Sequence, residues 1–274
     1  MRTLFKVLAV TLALLMCCMS ALANEGDDSL TRVKIKQQLI LGFDKEFAPM
    51  GYIDEHDNVV GFDIDVAAEV CARLGKDIVL VPYVIEDWDT KENLLKDGTI
   101  DCIWNGLSFS PDRFASMRLS TPYMNNDMVL VVRADSGITV KEQLEGKKLG
   151  IQAGSTAAEA LDEKSEFKSI LAAVKSYATN DEALKELEKG DLDAVLLDQV
   201  VADWYITVNE ADLVCLEESL LHEEYAIGFR KDDDALAEEV EKKLMEMVKD
   251  GTLAKISEKW FGRDLTTLKE YYGY

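Results

Sequence analysis

The chain has 274 residues, of which 30 are basic and 52 are acidic, so its net charge is −22. This acidity argues against binding to nucleic acid or to an anionic membrane surface. The length, together with a hydrophobic content of 48%, suits two lobes of ordinary size better than one.

The N-terminus predicts export. Arg2 and Lys6 precede an apolar stretch at residues 7–19, and small residues stand at positions 21 and 23, where a signal peptidase reads. The stretch is shorter than the roughly 20 apolar residues that span a bilayer. We therefore expect residues 1–23 to be a cleaved signal peptide and the mature protein to be periplasmic. Lipidation at Cys17 or Cys18 is the alternative.

From residue 39 the pattern alternates strands and helices. The first half predicts strands at 39–43, 78–82 and 100–104 and helices at 63–74 and 90–97, with Asp63 as a helix cap. The second half predicts strands at 148–152 and 192–197 and helices at 156–161, 181–188 and 199–207. Such alternation indicates an α/β fold with parallel sheets flanked by helices. Two further helices are expected after residue 233, as packing elements.

The remaining cysteines and both histidines predict no catalytic or metal site. Cys71, Cys102 and Cys215 are an odd number without metal-binding spacing, and the first two suit an apolar core. His56 and His222 lie in polar stretches, so we expect them at the surface.

A short run after the third strand is the strongest functional signal. We expect the strand to stop at Gly106, with a hydroxyl at Ser108 and a guanidinium at Arg113. Arg offers a planar fork that matches a carboxylate, and Gly lets a backbone approach closely. The run predicts a carboxylate clamp, or else an ordinary strand-to-helix turn with an exposed Arg.

Several motifs in order resemble one family. They are residues 39–44, 61–65, the segment around Arg113, residues 120–123 and the Trp-Phe-Gly at 260–262. Together they resemble the periplasmic amino-acid-binding proteins of ABC importers, solute-binding protein family 3, the group of the glutamine- and histidine-binding proteins. The resemblance covers nearly the whole mature chain.

The resemblance implies a type II periplasmic-binding-protein fold. Two lobes, each a mostly parallel sheet flanked by helices, would be joined by two crossing hinge strands. Lobe 1 would hold residues 24–123 and 225–274, and lobe 2 residues 124–224. The ligand would bind in the cleft between them.

The resemblance also assigns the groups that hold the ligand's backbone. Arg113, Ser108 and the backbone at Gly106 would bind the α-carboxylate from lobe 1, and Thr156 would add a donor from lobe 2. Asp198 would accept from the α-ammonium, as a carboxylate at a strand end. Asp198 is alternatively the N-cap of the following helix, and a cap leaves one oxygen free for both tasks.

Asp44, Phe47, Trp88 and Gln152 would line the side-chain pocket. Asp44 requires a donor on the ligand, whether amide, guanidinium, imidazolium or ammonium. Phe47, placed in a turn, and Trp88 would cover the ligand, or else belong to the core. An acidic cluster at residues 86–89 favours a cationic amino acid, although exposed acids on an acidic protein explain it equally.

We therefore expect a monomeric binding protein that delivers a polar amino acid to an ABC permease, without catalysis, cofactor or metal. Two alternatives stay open. One is an enzyme that resembles the cyclohexadienyl dehydratases, which share the scaffold and need a general acid in the cleft. The other is the ligand-sensing module of a receptor.

Overall fold

The computed structural model describes residues 26–273. The predicted signal peptide, with Cys17 and Cys18, lies outside the described residues. The helices are α1 (Ser29–Lys36), α2 (Phe62–Leu74), α3 (Lys91–Lys96), α4 (Pro111–Ser116), α5 (Thr156–Glu163), α6 (Ser165–Ile170), α7 (Asn180–Lys189), α8 (Gln199–Asn209), α9 (Asp234–Asp250), α10 (Thr252–Phe261) and α11 (Leu268–Tyr272). Short 3-10 turns cover Trp88–Thr90 and Lys141–Leu144.

The strands are β1 (Gln38–Phe43), β2 (Glu46–Phe47), β3 (Gly51–Ile53), β4 (Val59–Val60), β5 (Val79–Val84), β6 (Cys102–Ser108), β7 (Arg118–Leu119), β8 (Met124–Arg133), β9 (Lys148–Gln152), β10 (Ala173–Tyr177), β11 (Ala194–Asp198) and β12 (Leu213–Phe229). The main sheet has the order β10-β9-β11-β8-β12-β6-β1-β5, and β7 pairs with β12. Strands β2, β3 and β4 form a second, small sheet.

Two long strands join the two halves of the main sheet. On one side β1 pairs in parallel with β5 and β6, and on the other β9 pairs in parallel with β10 and β11. Between them β8 and β12 run antiparallel to each other. Strand β12 pairs with β8 as far as Tyr225 and with β6 from Tyr225 onward. The predicted lobe boundaries at 124 and 225 stay predictions, and we use lobe 1 and lobe 2 as names for those ranges.

Both halves carry buried apolar strands, and the C-terminal helices cover one face of lobe 1. Helices α9 and α10 contact α2, and their buried residues Val240, Leu244 and Leu253 belong to the main core. Cys71 and Cys102 are buried, as predicted, and both are free thiols. Helix α9 ends at Gly251, whose left-handed conformation suits glycine.

Several local predictions were wrong. Helix α2 is capped at Gly61 rather than at Asp63, which is fully buried in its first turn. Strand β6 continues past Gly106 to Ser108 because it pairs with β12 there. The strand predicted at 78–82 covers 79–84 instead, and it lies at the sheet edge, where Val79 is exposed.

Both histidines lie at the surface, as predicted. His56 and His222 are exposed. Among the described residues no helix is long and apolar enough to cross a membrane. Within residues 26–273 there is also no group of three or more His, Cys, Asp or Glu side chains that could hold a metal ion.

Candidate ligand-binding cleft

Eight of the nine predicted site residues line one small pocket of about 10 Å³ between the lobes. They are Phe47, Trp88, Gly106, Ser108, Arg113, Gln152, Thr156 and Asp198, and Ser155 completes the lining. The ninth, Asp44, lies in an adjoining pocket of about 230 Å³ that Trp88 also lines. Residues far apart in sequence therefore meet at the carboxyl ends of the parallel strands, where α/β sheets place their ligands.

Arg113 is buried in the cleft rather than exposed on a turn. Ser110 caps α4 by accepting from the Arg113 N–H, and Pro111 starts the helix. Arg113 is 6% exposed; its Nη1 donates to Ser108 O at 2.8 Å and its Nη2 to Gly154 O at 3.3 Å. Burial lowers the pKa of Arg113, although an Arg stays charged. The exposed-Arg alternative is therefore wrong, and a cation faces the cleft.

The backbone N–H of Gly106 is not a donor to the cleft, contrary to the sequence interpretation. It donates to Asp63 Oδ2 at 2.8 Å, and the hydroxyl of Tyr123 donates to the same carboxylate. Gly106 is nevertheless required: its φ is +56°, and a Cβ would lie 2.6 Å from a ring carbon of Phe47. Its role is to let the Phe47 ring pack closely.

Ser108 and Thr156 form a chain of hydroxyls that ends on a carboxylate. Thr156 Oγ1 donates to Ser108 Oγ at 3.4 Å, and Ser108 Oγ donates to Glu223 Oε2 at 3.0 Å. A hydroxyl has one proton to donate, so in this arrangement Ser108 offers none to a ligand carboxylate. Sequence reasoning missed Glu223, because nothing in the acidic stretch around it distinguishes a buried acid from exposed ones.

Asp198 brings a negative charge to the cleft from the end of β11. Asp198 is 5% exposed, and its Oδ1 accepts from Asn126 Nδ2 at 2.8 Å and from the Tyr225 hydroxyl at 2.6 Å. Asp198 stands at the N-cap position of α8 but its side chain makes no cap hydrogen bond, so the expected double role is wrong. Burial first, and then the charge of Glu223, raises the pKa of Asp198.

Asp44 and Gln152 meet across the cleft. Gln152 Nε2 donates to Asp44 Oδ2 at 2.6 Å, and Asp44 Oδ1 accepts from the Glu46 N–H at 2.9 Å. The buried Asn105 fixes this turn because its Oδ1 accepts from the Asp44 N–H at 2.9 Å. Burial raises the pKa of Asp44. A ligand donor that reaches Asp44 has to replace the Gln152 amide.

The two aromatic residues differ in their surroundings. Phe47 lies on β2 rather than in a turn and is 7% exposed within the main core, so it lines the pocket and packs the core together. Trp88 is half-buried, and the Lys91 ammonium lies 5.2 Å from its ring centroid.

One backbone carbonyl of lobe 2 accepts hydrogen bonds from two cationic side chains of lobe 1. Gly154 O accepts from Lys91 Nζ at 3.1 Å and from Arg113 Nη2 at 3.3 Å. Sequence reasoning did not find Lys91, which is 3% exposed and whose pKa is lowered to about 8 by burial and then by Arg113. The chain is so close here that a Cβ on Gly154 would lie 2.5 Å from Asp89 Cα. The two lobes are therefore in direct contact over the pocket.

Comparison with known proteins agrees with this architecture. The L-cystine-binding protein TcyJ of Escherichia coli (strain K12) is 29% identical over 267 residues, 97% of each chain. A substrate-binding protein of an ABC uptake transporter from Streptococcus pneumoniae, solved with bound histidine, is 35% identical with a TM-score of 0.85, over 89% of this chain and all of that one. The ancestral amino-acid-binding protein AncCDT-1, a precursor of cyclohexadienyl dehydratase, is 29% identical with a TM-score of 0.77, over 85% of this chain and 99% of that one.

These neighbours confirm the predicted fold, a type II periplasmic-binding-protein fold with two α/β halves and two connecting strands. The family described as bacterial extracellular solute-binding proteins, family 3, matches residues 39–263. This match spans most of the chain and includes the strands and helices that carry the cleft. The chain belongs to the bacterial extracellular solute-binding proteins, family 3.

Proposed function

We propose that this protein captures a polar amino acid between its lobes outside the cytoplasm and presents it, as a monomer, to an ABC permease. One observation carries the proposal: Arg113 and Asp198 bring opposite charges to one pocket from opposite lobes. A free amino acid carries the complementary pair of charges on one carbon. Cystine and histidine, which the proteins named above bind, both carry this pair of charges and differ in their side chains.

The α-carboxylate is assigned to Arg113. Two of its N–H groups hold the carbonyls of Ser108 and Gly154, and the remaining N–H groups of its fork are left for an anion. The α-ammonium is assigned to Asp198. Gly106 N–H is not part of this assignment, because it is committed to Asp63.

The side chain of the ligand is assigned to the space at Asp44, Gln152 and Trp88. Asp44 is a buried acceptor, so it selects ligands with a donor at the end of the side chain. A pocket of about 10 Å³ holds about one water molecule, so an amino acid enters only after the lobes move apart. Ligand binding then stabilises a closed form, because only that form completes contacts from both lobes.

The experiment is a thermal-shift screen of residues 24–274 against the common amino acids, followed by calorimetry on the ligands that raise the melting temperature. Arg113→Ala is expected to abolish binding, and Arg113→Lys, which keeps the charge but loses the fork, to weaken it strongly. Lys255→Ala, an exposed cation on α10, is the control and should bind normally. Near-normal affinity in Arg113→Ala would contradict the assignment of the α-carboxylate to Arg113.

The absence of catalysis is part of the proposal and has its own test. Glu223 is a buried carboxyl with a raised pKa, which is the kind of group that a dehydratase needs as an acid. Incubation with prephenate and arogenate should give no aromatic product above buffer. Turnover that Glu223→Gln abolishes would replace the binding function by an enzymatic one.

A further inference from the structure

Glu223 and Asn126 lie where the two connecting strands cross between the lobes. They face each other in the β12–β8 pairing, and they are 7% and 6% exposed. Neither was among the residues predicted to bind a ligand. Their position next to Ser108 and Asp198 places them directly behind the pocket.

One amide nitrogen joins two buried carboxylates at this point. Asn126 Nδ2 donates to Asp198 Oδ1 at 2.8 Å and to Glu223 Oε2 at 3.1 Å. Two buried carboxylates this close repel each other, and burial of a charge is costly unless it is paired. Arg113 is the cation that acts on both. With both carboxyls ionised, the group holds two negative charges against one positive charge.

Two acceptor atoms of the same group have no partner. Glu223 Oε1 and Asn126 Oδ1 are buried, and neither receives a hydrogen bond from the described residues. An unpaired buried acceptor costs free energy that a donor would recover. Both atoms are acceptors, so a group that binds them has to be a hydrogen-bond donor, and the charge balance favours a positive one.

We propose that Glu223 makes the cleft select its ligand by net charge: a cationic amino acid binds as it is, whereas a neutral amino acid binds together with one proton from the solvent. The inference rests on the proposed function and names its substrate class, amino acids with a net positive charge. With a neutral ligand the proton resides on the Asp198–Glu223 pair. With a cationic ligand the side chain, assigned to the space at Asp44, adds a positive charge to the same cleft that offsets its excess negative charge, and no proton is needed.

The surroundings of the pair fit proton uptake near neutral pH. Burial raises the pKa of Glu223, and burial followed by the charge of Glu223 raises that of Asp198. Arg113 opposes both shifts, and the Tyr225 hydroxyl donates to Asp198. The neighbouring His222 lies on the solvent side, with 86% of its side chain exposed and paired with Asp127, so it does not balance the buried pair.

The test is calorimetry of residues 24–274 with arginine and with glutamine at pH 7, in two buffers of different ionisation enthalpy. Close to one proton should be taken up with glutamine and close to none with arginine. Glu223→Gln should abolish the uptake and lower the preference for arginine over glutamine by at least about tenfold, because one buried charge has been removed. If the wild type does not bind glutamine measurably, Glu223→Gln should gain that binding.

Two variants separate this result from damage to the fold. Glu223→Asp keeps the charge and should keep the arginine preference, and Glu217→Gln removes an exposed acid from the same strand and should change nothing. An unchanged arginine-to-glutamine ratio in Glu223→Gln, with equal proton uptake for both ligands, overturns the inference while leaving amino-acid binding intact. Failure of every amino acid to bind the wild type overturns the proposed function instead.

Discussion

Closure of the lobes should depend on the absence of a side chain at Gly154. A Cβ there would lie 2.5 Å from Asp89 Cα and 2.9 Å from Asp89 N, both backbone atoms of the opposite lobe. Carbon atoms in contact are normally about 3.5–4.0 Å apart, so Gly154→Ala forces the backbones apart by about 1 Å. The Gly154 O to Arg113 Nη2 distance of 3.3 Å would then exceed hydrogen-bond range.

The clash exists only when the lobes are closed, so its cost appears directly as lost ligand affinity. Overpacking of this kind costs about 1–3 kcal/mol, which weakens ligand binding by about 5- to 150-fold. Gly154 has a φ of +66°, so alanine also adds backbone strain of about 1–2 kcal/mol. That strain is present in the open and the closed form and should lower thermal stability without lowering affinity.

Gly146→Ala is the matched control. Gly146 has a φ of +70° and no atom within 4 Å of its Cβ position, so it carries the same strain without the contact between lobes. We expect both variants to lose thermal stability and only Gly154→Ala to lose affinity in calorimetry. Equal affinity loss in the two variants, or none in Gly154→Ala, would refute the argument that this backbone contact forms on ligand binding.

Three further substitutions test individual side chains. Asp44→Ala should weaken ligands with a donor-bearing side chain by about 1–3 kcal/mol or more and alanine far less, as calorimetry with arginine and alanine would reveal; equal weakening of both contradicts the role of Asp44 in selectivity. Burial raises the pKa of Asp63 to about 7 from an ordinary 3.8, so the folded state binds the extra proton between those values and stability falls as pH rises through them. Denaturant unfolding at pH 5 and 7.5 should show this loss in the wild type and a smaller loss in Asp63→Asn, because other buried carboxyls such as Asp44 and Glu223 also have raised pKa values. The pKa of Lys91 is lowered to about 8 from 10.5, so between pH 8 and 10.5 the unfolded chain holds the extra proton. The contribution of Lys91 to the free energy of unfolding therefore rises with pH in this range, and Lys91→Met should lack that rise.

The elements that depend on local pattern were predictable. Strand β9 has the bounds 148–152 that the sequence predicted, and α2 begins one residue earlier than expected. In both, the apolar spacing of neighbouring residues decides the conformation. The confirmed fold follows from that alternation and from the family resemblance.

The partners of individual polar groups were not predictable in the same way. Ser108 and Glu223 are 115 positions apart, and Gly106 finds its acceptor on Asp63, 43 positions earlier. Such pairs depend on the register of β12 against β6 and β8, which is irregular at two places in β12 opposite β8 and at one opposite β6. An irregularity of one residue changes which side chains face the cleft. The sequence therefore indicated which residues gather at the cleft, but not which of their donors are already used.

The charge of the cleft illustrates the difference most directly. The sequence interpretation linked a cationic ligand to the acidic cluster at residues 86–89. In the structure 75% of the Glu86 side chain is exposed, and Asp87 caps the 3-10 turn by accepting from the Asp89 N–H. Solvent screens such groups, so they contribute little to selection in the pocket. Glu223 has the burial and the neighbours that those acids lack, and a preference for cationic ligands should therefore survive Glu86→Gln and be lowered in Glu223→Gln.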